Sequence, residues 1–102
     1  MTYVEELREV IRRLHGVEAA HVASVPVKEN FQGRTVWEGI VEVFELHGHP
    51  TASRLYAWSH ATDDLEKRRH VTVLHSDLIT SPILAVRAAI LQEFKSDAPA
   101  EA

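Results

Sequence analysis

The 102-residue chain has no cysteine, which excludes a disulfide framework, a thiolate metal site and a cysteine nucleophile. Glycine is scarce, with four in all, and none sits in a phosphate-binding loop. No apolar run approaches the ~20 residues that a membrane helix needs. Neither sign of charge dominates. Eleven Lys and Arg against fifteen Asp and Glu leave a net charge of −4, with no bulk electrostatic pull on nucleic acid. There is no internal repeat and no low-complexity tract. The opening residues Glu5, Glu6, Arg8 and Glu9 are wrong for a secretory signal, so the cytoplasm is the expected compartment. What remains is an ordinary globular composition, 45% hydrophobic and 25% charged. A chain this long buries about two-thirds of its unfolded surface, enough for one core.

The chain reads as helix, four strands, helix. Thr2 and Glu5 form a capping box. Tyr3, Leu7, Val10 and Leu14 make an apolar stripe, and Gly16 supplies the stop, so a helix is expected over 2–15. Alternation then predicts a strand over 19–28, with Pro26 marking it as an edge strand or bulged. A polar connection is expected from Glu29 to Arg34. Residues 35–46 form the clearest strand, with Trp37, Gly39, Val41 and Val43 facing a core and Glu38, Ile40, Glu42 and Phe44 facing away. His47-Gly48-His49-Pro50 signals a turn. Further strands follow over 52–60 and 69–76, joined by a charged loop. Ser81 as N-cap and Pro82 at the first helical position open a last helix, apolar over a wide arc. Residues 96–102 read as a disordered C-terminal tail beyond a single domain over 1–95.

Short connections favour an antiparallel meander. The expected fold is α+β, in the order α-β-β-β-β-α, with two helices packed on one face of a four-stranded antiparallel meander sheet. The composition of the other face depends on the central hairpin register. A two-residue loop pairs Glu42 with Leu55 and puts Tyr56 and Trp58 under the helices with Trp37 and Val41. A three-residue loop pairs Glu42 with Tyr56 and exposes Ile40, Phe44, Tyr56 and Trp58 together. The second register is preferred, because it leaves small Leu55 and Ala57 beneath the helices. Those four residues then form an interface, with a homodimer or a small protein as the expected partner.

Chemistry-bearing patterns are sparse. Seven histidines are unusual for this length, and His47 and His49 flank a turn glycine. They are the metal candidates, without the spacing of a known site. His75, Ser76 and Asp77 are adjacent, whereas working triads assemble in space from separated elements. Glu38 and Glu42 would lie about 13 Å apart at ~3.3 Å per residue, too far for paired acid–base work. Lys67, Arg68, Arg69 and His70 make the one basic run, a candidate for weak anion or nucleic-acid binding. The helix–sheet–helix order is similar to that of double-stranded RNA-binding domains. Those domains place cations at the start of the final helix, and here none precedes Arg87. No catalytic residue and no cofactor is assigned. The expectation is a non-enzymatic interaction module, with no membrane segment.

Overall fold

A computed structural model describes residues 2–61 and 68–97. Its elements are α1 (Tyr3–His15), β1 (Glu18–Phe31), β2 (Arg34–His47), β3 (Arg54–Ala61), β4 (Arg68–Leu74) and α2 (Pro82–Asp97). The strands form one antiparallel sheet in the order β1-β2-β3-β4. The α+β class, the element order and the meander are those expected from the sequence. Of the tail expected over 96–102, the first two residues belong to α2, and 98–102 lie outside the described residues.

Local chemistry sets the ends of α1. Thr2 Oγ1 accepts from the Glu5 amide at 3.2 Å, and Gly16 turns left-handed at φ 69° while its N–H reaches Arg12 O. The connection expected over 29–34 is a tighter device. Both strands run on to a two-residue turn at Gln32 and Gly33, with φ of 52° and 75°. Paired positive φ values match the twist of a hairpin.

The two helices pack on opposite faces of the sheet, not on one. Leu7 and Ile11 of α1 are buried against Ala19, Phe44, Leu46, Leu55 and Ala57. Ala85 and Val86 of α2 are buried against Val27, Val41, Val43, Tyr56 and Trp58. Successive residues of a strand point to opposite faces, so these two sets lie on two sides. The cause is visible in β3: Leu55, Tyr56, Ala57 and Trp58 are all buried, a run that alternation cannot divide into a wet and a dry side. Trp37 and Trp58 meet edge to face at 5.6 Å on the α2 side. Gly39 lies in the shadow of that indole, where an added Cβ would come within 3.1 Å of Trp37.

Candidate functional site

The interface expected from Ile40, Phe44, Tyr56 and Trp58 is not assembled. The β2–β3 ladder pairs Glu42 with Ala57 and Val43 with Tyr56, a register given by neither of the two loop lengths considered. Residues 48–53 form a longer loop, closed by Leu46 N donating to Ser53 O at 2.9 Å. Ile40 and Phe44 therefore lie on the α1 face, and Tyr56 and Trp58 on the α2 face. Ile40 is 47% exposed, whereas Phe44, Tyr56 and Trp58 are 0%, 1% and 3% exposed and belong to the two cores. The Tyr56 hydroxyl meets His75 Nδ1 at 2.9 Å, and burial pushes its pKa upward, with Arg54 opposing.

Glu42, expected on the β2 face turned away from the core, is buried at 5% exposure. His21 Nε2 lies 2.8 Å from Glu42 Oε1, and Ser24 donates to the same oxygen. A bulge at Val22 makes this possible. The ladder steps from His21 opposite Phe44 to Ala23 opposite Val43, so His21 and Ser24 come to share a face although they are three apart. Strict alternation places them on opposite faces, which is why the sequence pattern does not reveal the cluster. The geometry is not that of a nucleophile relay. Ser24 and Glu42 meet the same imidazole nitrogen, so no ring bridges a base to the serine. The cluster satisfies a buried carboxylate.

The metal candidates part company. His47 is exposed at the end of β2, opposite Glu18. His49 Nδ1 accepts from the amides of Thr51 at 3.2 Å and Ala52 at 3.0 Å. A neutral ring that accepts at Nδ1 carries its proton on Nε2, which leaves no free lone pair for a metal. Among the described residues, no group of three or more His, Asp or Glu side chains could hold a metal ion.

The basic run is divided by the strand. Lys67 lies outside the described residues, and Arg68 opens β4. Arg69 shares the α2 face with Val71 and Val73, while His70 turns to the other face and hydrogen-bonds Ser59. Residues 69 and 70 therefore do not converge on one anion.

The feature left open is the outer edge of β4. His75 N donates to Arg54 O at 2.9 Å, which fixes the phase of the β3–β4 ladder. Counting back from it, the backbone groups of Val73, Val71 and Arg69 face β3, and those of Leu74, Thr72 and His70 face outward. No described residue pairs with those outward groups. Beside this edge runs a shallow groove of about 290 Å³ lined by Arg69, Val71, Thr72, Val73, Ala88, Ala89 and Gln92. Leu84, Ala88 and Leu91 form a second apolar stripe on α2 that takes no part in the core, and Leu91 is 62% exposed. No family model, curated protein or solved structure matches the chain.

Proposed function

We propose that this protein is a non-enzymatic interaction module that works as a homodimer, joined by antiparallel pairing of β4 with a second β4. The observation that carries the reading is the outward-facing backbone of His70, Thr72 and Leu74 on an edge with no proline and no bulge. A two-fold centred on Thr72 brings these groups into hydrogen-bonding phase with themselves. It sets His70 opposite the partner's Leu74, Val71 opposite the partner's Val73 and Arg69 opposite the partner's His75. No two permanent like charges face each other. The same two-fold brings the stripe of Leu84, Ala88 and Leu91 toward its own copy. The small side chains of Ala88 and Ala89 let the two helices approach. No described helix is long and apolar enough to cross a membrane, and the reading keeps the cytoplasmic setting expected above.

Light scattering across micromolar concentrations tests it. The expected mass is twice the 11.5 kDa of the chain. Thr72→Pro removes an amide that points away from β3, so the variant is expected to keep its circular dichroism and run as a monomer. Leu91→Glu, which leaves the sheet untouched, is expected to weaken association in the same direction. A wild-type monomer at every concentration, or a folded Thr72→Pro dimer, overturns the proposal.

A further inference from the structure

We infer that His49 is a pH-sensitive latch that holds the β2–β3 loop closed only while its ring is neutral. The latch sits where three elements meet. His49 caps the loop by accepting two backbone N–H groups at Nδ1. The His15 ring, at the C-terminal end of α1, stands edge-on to His49 at 6.1 Å between centroids. His15 Nε2 in turn lies 3.2 Å from Thr72 Oγ1 of β4.

An imidazolium has no acceptor. Protonation of His49 therefore turns Nδ1 into a donor aimed at two donors, and both loop bonds must break. The Ala52 amide is the costlier loss, because Ala52 is buried in the α1 core and its N–H has no other partner among the described residues. Among the described residues, no ion pair reaches the His49 ring to relieve the added charge. On α1, the guanidinium of Arg12 pairs with Glu9. On β1, Glu18 lies opposite His47 rather than His49. The β4 group in contact with His15 is the uncharged Thr72. The third titratable ring of this corner is His47, at the end of β2. Burial, and then the charge of His49, hold the His15 pKa below its ordinary value, so a second positive charge at this corner is disfavoured.

The sign follows from His15. Its folded pKa is lowered, so the unfolded chain takes up the proton first, and stability is full above the ordinary value of 6.5 and lost as the pH falls below it.

Nitrogen-15 NMR of the full chain tests the latch. At the alkaline end, the His49 ring is expected as the Nε2–H tautomer. On acidification, the Thr51 and Ala52 amides should shift and exchange faster with the midpoint of the His49 ring, not that of His15 or His47. His49→Asn keeps an acceptor that does not titrate, so its loop amides should stay protected throughout. The Nδ1–H tautomer at high pH, amides that ignore the His49 midpoint, or an unchanged pH response in His49→Asn would each overturn the inference.

Discussion

The two outer strands of the sheet meet solvent in different ways. β1 is long, yet it carries Pro26 and a bulge at Val22. Each of these breaks the even row of donors and acceptors that another strand would need. β4 is half the length and has neither of them within its ladder. Its neighbour in the fold, α2, adds the small residues Ala88 and Ala89 at the same edge. One edge is protected by its own sequence. No described residue pairs with the outward groups of the other. A sheet with two unguarded edges can polymerise, whereas a single open edge limits strand pairing to a closed two-fold dimer, which is the arrangement proposed above.

The largest expected effect comes from the interior that both edges share. Trp58→Ala should destabilise the fold by ~3–5 kcal/mol in urea titrations, the range for emptying a large aromatic site. A variant that stays as stable as the wild type would place the ring outside the core and undo the account of both edges. Glu42→Gln acts on the β1 side alone. It weakens the contacts that tie His21 and Ser24 to β2, at a cost of about 1 kcal/mol, while the dimer mass should not change. A loss of dimer in this variant would mean that the two edges are not independent. Pro26→Val is the smallest change in stability and the sharpest test of the comparison. Restoring a donor on β1 should create a second competent edge, seen as species larger than a dimer at high concentration. If Pro26→Val stays strictly dimeric, proline is not what guards β1.

Much of this fold is legible in the sequence. The caps of α1, the phase of the long β2 strand and the Ser81–Pro82 start of α2 follow from local chemistry that tertiary packing does not overrule. The face assignment of β2 is right for one side only: Val41 and Val43 are buried with Trp37 packed beside them, but Phe44 and Glu42, expected to face away from the core, are buried as well. Three things were not legible. The register of the β2–β3 hairpin depends on a loop built around the His49 ring, and no turn rule counts such a ring as part of the loop. The His21–Ser24–Glu42 cluster depends on a one-residue bulge. The two-sided cover of the sheet was signalled by the unbroken run from Leu55 to Trp58, which a search for alternation passes over. The edge of β4 was missed for the same reason. With both helices expected on one face, Tyr56 and Trp58 read as an exposed surface on the other, which leaves the strand that ends the sheet without a role.

Amide hydrogen exchange on β4 reads the very groups on which the proposed dimer depends. The amides of His70, Thr72 and Leu74 point away from β3, so in a monomer they exchange with water unprotected. The account predicts that all three are protected at high protein concentration. It also predicts that the protection of His70 and Leu74 is lost on dilution and in Thr72→Pro, while the inward amides of Val71 and Val73 stay protected. If the outward amides exchange freely at every concentration while Val71 and Val73 remain protected, the edge is bare in solution and the dimer through β4 is contradicted.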